Sequence, residues 1–151
     1  MSGSMTGLWV TLVVFLVALA LGLWWRISNG RVRSVARQSP DQDGPSEALQ
    51  RVIANQDGGG FGTQATLVQF STAFCQPCRA TRQILGEVSD MVDGVSHVEI
   101  DAESQLDLVR SLDIRRTPTV LILDASGVIR HRAVGQPRKA DVIQALGAVI
   151  D

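Results

Sequence analysis

From Thr6 to Trp25 the chain carries no charged side chain, and the stretch TGLWVTLVVFLVALALGLWW is apolar almost throughout. Twenty residues of helix rise about 30 Å, the hydrocarbon thickness of a bilayer. Trp9 stands near one end and Trp24 and Trp25 at the other, where amphipathic rings favour the interface. A cleaved signal peptide would need a basic n-region and a small-residue cleavage site after the apolar core. Here no basic side chain precedes Thr6, and the run ends in Leu-Trp-Trp-Arg. A retained anchor is the expected reading, with residues 6–27 as one transmembrane helix.

Charge is segregated behind that run. Arg26, Arg31, Arg33 and Arg37 are the only charged residues among the first 40, which leaves all fifteen acidic side chains in the remainder. A basic stop is thus followed by a mildly acidic domain, without the basic patches that nucleic-acid binding requires. Lys/Arg-rich flanks tend to stay cytoplasmic. The expectation is a single-pass membrane protein with its soluble domain in the cytoplasm, an extracytoplasmic domain being the alternative.

Residues 28–62 read as a linker, with turn-forming DQDGP after Pro40 and the glycines of Gly58-Gly59-Gly60-Phe61-Gly62. Ser46 to Ala54 can form a short helix capped by Ser46. A folded domain is expected over 63–151. Ala65–Ser71 is a β-branched, apolar run of strand length. Cys78–Val92 has helical spacing, with Ile84, Leu85, Val88, Met91 and Val92 on one stripe. A strand over Val95–Ile100, a helix over Ser104–Leu112 and a fully apolar strand over Thr119–Leu123 follow. Asp124-Ala125-Ser126-Gly127 turns into a strand over Val128–Val134, and Lys139–Ile150 closes as a helix. The order β-α-β-α-β-β-α predicts an α/β fold: parallel crossovers first, then an antiparallel hairpin, in a mixed sheet with helices on both faces.

The only two cysteines, Cys75 and Cys78, lie three residues apart in Cys75-Gln76-Pro77-Cys78. A zinc site needs about four ligands, and beyond this pair only His97 and His131 remain, in different strands without ligand-like spacing. Two inert structural thiols are the other alternative. Pro77 and the amphipathic run after it place the pair at a helix N-terminus, which favours a redox centre. There, unpaired N–H groups and the positive helix end stabilise an anion and lower the pKa of Cys75. Pro77 suits the first turn, where a missing N–H costs nothing. Cys75 would attack a substrate disulfide, and Cys78, one turn further in, would resolve the mixed disulfide. Arg79 and Arg82 add positive potential, although Arg82 reads better as a solvated helix-face arginine.

The segment TLVQFSTAFCQPCRATRQIL, followed by HVEIDAES, RRTPTVLIL and AVG, resembles the thioredoxin family in motif order and spacing from about Ala65 onward. The resemblance implies a thioredoxin-like sheet with helices on both faces, and thiol–disulfide exchange at Cys75 and Cys78. It implies that Pro118 is cis and faces the sulfurs, blocking metal from between them, and that Thr117 backbone groups pair with a substrate strand. X-Pro bonds are the common source of cis peptides. Gly135 matches the third substrate-facing loop, and Phe74, Gln76 and Pro77 flank the sulfurs on the substrate side. Departures from the family's pattern begin at the site: Phe74 replaces the usual tryptophan, Gln76 replaces glycine, and Gln69 occupies the place of the family's buried aspartate. Glutamine cannot act as a base, so water or another carboxylate assists Cys78, or its exchange is slow. Glu99 is passed over for that role because it could as easily face solvent. His97 replaces a family lysine and is read as structural.

The expected function is therefore exchange of disulfides with protein substrates, in the reducing direction, since proline beside Cys78 resembles reducing members. No cofactor, metal or nucleic acid is expected, and an electron donor of unknown identity is implied. A membrane-tethered, non-catalytic binding or assembly module is the alternative. A peroxidase-type role is weaker, because the longer insertions expected there are missing.

Overall fold

The computed structural model describes residues 3–28, 30–35, 43–56 and 60–150. Pro40 and the first two residues of DQDGP lie outside them, as do Gly58 and Gly59, while Asp43, Gly44 and Pro45, expected in a turn, instead open a helix.

Helix α1 (Gly3–Ser28) contains the uncharged run. Over Gly7–Trp24 it is long and apolar enough to cross a membrane, and none of that stretch is buried against protein. A signal sequence near an N-terminus has the same character. Leu8, Phe15 and Leu16 are all more than half exposed.

The remaining elements are β1 (Val32–Ser34), α2 (Asp43–Ala54), β2 (Ala65–Ser71), α3 (Gln76–Met91), β3 (Val95–Asp101), α4 (Leu106–Ser111), β4 (Thr119–Asp124), β5 (Ile129–Val134) and α5 (Lys139–Ile150). From β2 onward the expected order and types hold, with boundaries moved by one or two residues. The five strands form one sheet in the order β1-β5-β4-β2-β3.

Strand alternation divides the core in two. Val68, Phe70, Leu121 and Leu123 face α2 and α4, packing with Leu49, Ile53, Leu108 and Leu112. Ala65, Leu67, Val120 and Ile122 face α3 and α5, packing with Leu85, Val88, Val142 and Leu146. Both faces are covered, and for that reason β2 and β4 are buried along their whole length.

The structure differs from the sequence expectation in three places. β2 and β3 are parallel, but β4 is antiparallel to β2, so the second crossover is not a parallel one. A strand that is apolar on both faces is buried equally well in either direction, and its residues do not encode the choice. Ser46 does not cap α2, which begins at Asp43. The short helix expected over Ser46–Ala54 is present as α2, but the segment read as a linker is part of the folded unit: Leu49 and Ile53 are fully buried, and β1 pairs antiparallel with β5.

Candidate functional site

Cys75 occupies the N-cap of α3, with extended backbone (φ −87°, ψ 102°), and Pro77 lies in the first turn. The Cys78 N–H at the helix start is shared between Cys75 Sγ and the Cys75 carbonyl, each at 3.2 Å. The two cysteines are joined in a disulfide with Cα atoms 5.2 Å apart. Cys75 is half-buried, whereas Cys78 is 2% exposed. This asymmetry follows from the fold: Cys75 stands in the loop ahead of the helix, and Cys78 begins the stripe that continues through Thr81, Leu85 and Val88 against the sheet.

The Thr117–Pro118 peptide is cis, as the family resemblance implied. The Thr117 hydroxyl lies 3.3 Å from that of Thr72, tying the β4 entry loop to the loop before Cys75. Gly135 (φ +88°) donates its N–H to the Pro118 carbonyl at 2.8 Å. Pro77, Thr117, Pro118 and Gly135 line one depression of about 680 Å³, with Arg31, Arg116 and Arg138 around it. Cys75 and Cys78 line a second, of about 430 Å³, together with Thr72, Arg79, Arg82 and Glu99. Gln76 and Phe74 line neither, and Phe74 is completely exposed beside Cys75.

Beneath the cysteines, Gln69 is fully buried and its amide N–H donates to the Cys78 carbonyl at 2.9 Å. Gln69 Oε1 and His97 Nε2 are buried with no hydrogen-bond partner among the described residues. Burial pushes the His97 imidazole below its ordinary pKa, although the Glu99 carboxylate pulls the other way.

Glu99 does not point freely into solvent. Its carboxylate accepts from Arg82 Nη2 at 2.6 Å and Arg82 Nε at 2.5 Å, and from the Ser71 hydroxyl at 2.5 Å. Burial alone would raise its pKa, but the hydrogen bonds from Arg82 and Ser71 and the Arg82 charge together hold it below the usual glutamate value. Arg82 is therefore paired with Glu99, which offsets the positive potential expected from it near the sulfurs. Seventeen residues separate the two in sequence, in two separate motif segments, and nothing in either segment names the other as its partner. The only signal available beforehand was their placement on α3 and β3, adjacent elements of a β-α-β unit.

A buried thiol beside a half-exposed one at a helix N-terminus can form, break and exchange a disulfide. The thioredoxin family model matches residues 50–148, well over half of the chain. Among curated proteins, Thioredoxin H4-1 of Oryza sativa subsp. japonica is 34% identical over 70 residues, covering 46% of this chain and 50% of its own length. Thioredoxin H4-2 of the same organism is 30% identical over 94 residues, 62% of this chain and 67% of its own. The chain thus spans between half and two thirds of these relatives. Among solved structures, a mutant thioredoxin from Halobacterium salinarum NRC-1 superposes with a TM-score of 0.55 at 16% identity, covering 68% of this chain and 83% of that one, a likeness of fold. Sequence match, fold and the placement of the disulfide agree: the chain belongs to the thioredoxin family.

Proposed function

We propose that this protein is a membrane-anchored thiol–disulfide oxidoreductase that reduces disulfides in other proteins. The observation that carries the reading is the Cys75–Cys78 disulfide at the start of α3, with one sulfur accessible and the other buried.

In the reduced protein, the Cys75 thiolate attacks one sulfur of a substrate disulfide. The Cys75–substrate S–S bond forms as the substrate S–S bond breaks, and the departing substrate sulfur leaves as a thiolate that takes up a proton. Cys78, as a thiolate, then attacks Cys75 Sγ; the mixed disulfide breaks and the second substrate thiolate is released and protonated. Two electrons have passed to the substrate, and the protein ends with the Cys75–Cys78 bond seen here. A dithiol donor must reverse that last state. Thr117, Pro118, Gly135, Phe74, Gln76 and Pro77 are proposed to contact the substrate chain around the sulfurs, the Thr117 backbone by strand-like pairing. The anchor is α1, and the arginines after it favour a cytoplasmic domain.

An insulin-reduction assay with dithiothreitol tests the chemistry. Cys75→Ser should reduce turnover to background, and Cys78→Ser should accumulate a mixed disulfide with the substrate. Cys75→Ser retaining wild-type activity would instead favour a non-catalytic binding module. Rapid labelling of the cysteines in intact cells by a membrane-impermeant reagent would overturn the cytoplasmic assignment.

A further inference from the structure

The path from the membrane helix to the substrate-facing loops is short, and from Gly30 onward it is docked on the sheet. Two residue steps separate Ser28, the last of α1, from Gly30, a span of at most about 7 Å. The Gly30 N–H donates to the Val134 carbonyl at 2.9 Å, and the next residue, Gly135, donates to the Pro118 carbonyl. β1 then continues along β5, pairing Val32 with Ala133, and Val35 N–H closes the pairing on the Arg130 carbonyl. Gly30 is held by shape as well as by hydrogen bonding. Its φ is +79°, and a Cβ there would lie 1.8 Å from the Gln136 carbonyl oxygen. Arg31 lines the same depression as Pro118 and Gly135, as does Leu23 of α1.

A free linker of some 35 residues would let the domain range about 30 Å from its anchor. The docked β1 removes that freedom, because the chain joins the sheet at the end where Gly135 and Pro118 stand. Summing the helix rise after Trp25, the two-residue step and the hydrogen-bonded contacts puts Pro118 within about 25 Å of the hydrocarbon edge, however the domain is tilted.

We propose that this protein acts on cysteines of partners that are themselves membrane-bound, with their sulfurs close to the bilayer surface, and that β1 is the element that sets this reach. The inference rests on α1 spanning a membrane, as in the proposed function.

The test uses the full chain reconstituted in phosphatidylcholine liposomes with two membrane-spanning reporter peptides. One carries its disulfide loop directly after the span, and the other carries it about 60 Å out on a helical (EAAAK) spacer. The near reporter should be reduced about tenfold faster, since anchoring concentrates the two partners only where they can meet. A flexible Gly/Ser insert of about 30 residues directly after Ser28 should bring the ratio below threefold while leaving reduction of a soluble disulfide unchanged. A near-to-far ratio below threefold for the uninterrupted chain, or an unchanged ratio on insertion, would overturn the proposal. Flotation of the liposomes separates the failures. Protein left behind at the bottom refutes the anchor and this proposal with it, and floated protein inactive on the soluble disulfide refutes the redox reading itself.

Discussion

Gln69 and Cys78 are joined across the site: the buried glutamine amide donates to the cysteine carbonyl at 2.9 Å. The cross-strand register partner of Gln69 is Glu99, and that carboxylate is turned to Arg82 and Ser71 instead. The position beneath the resolving cysteine is thus occupied by a group that can orient but cannot take a proton, and the acid paired with it across the strands is held ionised by an arginine.

Gln69→Glu should expose this difference. A buried carboxyl has a raised pKa, so its neutral form persists at low pH and can donate to the Cys78 carbonyl as the amide does. Stability should then match wild type near pH 4 and fall with rising pH, starting at the unfolded value of about 4.3 and levelling off above the raised folded value. Once ionised, the carboxylate can accept the Cys78 proton. Mixed-disulfide decay in stopped-flow should therefore accelerate above that folded pKa. A decay no faster than wild type at any pH would mean that proton removal from Cys78 does not limit resolution.

Glu99→Gln should weaken the protein at neutral pH by about 0.5–1 kcal/mol, a small value because Arg82 is 55% exposed. The folded pKa of Glu99 lies below its unfolded value. Its contribution is present above the unfolded pKa and is lost as pH falls through the folded one. Urea titrations of the two proteins should begin to converge as pH falls below the unfolded value of about 4.3, and should coincide only below the depressed folded one.

His97 has the opposite consequence. Burial lowers its pKa, so the unfolded chain binds the proton more readily, and stability declines as pH drops below about 6.5. His97→Leu should flatten the stability profile below about pH 6.5. It should also leave neutral-pH stability equal or higher, because it removes a buried nitrogen that has no partner among the described residues. An unaltered acid slope would assign that slope elsewhere, His131 being the next candidate.

Arg33 and Arg132 face each other as register partners of β1 and β5. Like charges directly opposite are unfavourable, and replacing one by its opposite should gain about 0.2–1 kcal/mol. Arg33→Glu should therefore slow hydrogen exchange at Gly30 and Val35, the two amides that bracket the pairing. Exchange at the unprotected rate in both proteins would show that β1 is not docked in solution.

The legible part of this fold is the part whose residues repeat with a period. The stripe Leu85–Val88 on α3, the apolar β2 and β4 and the amphipathic α5 all announce themselves locally. The sulfur pair was equally plain, since helix-N-terminal chemistry depends on neighbours in sequence. Pairings between distant residues were not legible. β1 is three residues long, too short for alternation to register, and its partner Ala133 lies a hundred positions on. The direction of β4 leaves no trace in TVLIL. The Arg82–Glu99 pair looks, residue by residue, like any two surface charges. For Gln69 the sequence marked the substitution, but its bond to a backbone carbonyl depends on how close α3 sits to β2.

The most direct measurement is the pH dependence of alkylation of the reduced full chain by iodoacetamide, resolved by mass spectrometry at each cysteine. A sulfur at the N-cap of α3 should react as a thiolate with a midpoint below about 7.5, while Cys78, buried behind it, stays largely unmodified. A Cys75 midpoint at or above about 8.5, the value of an unassisted cysteine, would contradict thiolate stabilisation at the helix terminus and the exchange chemistry built on it.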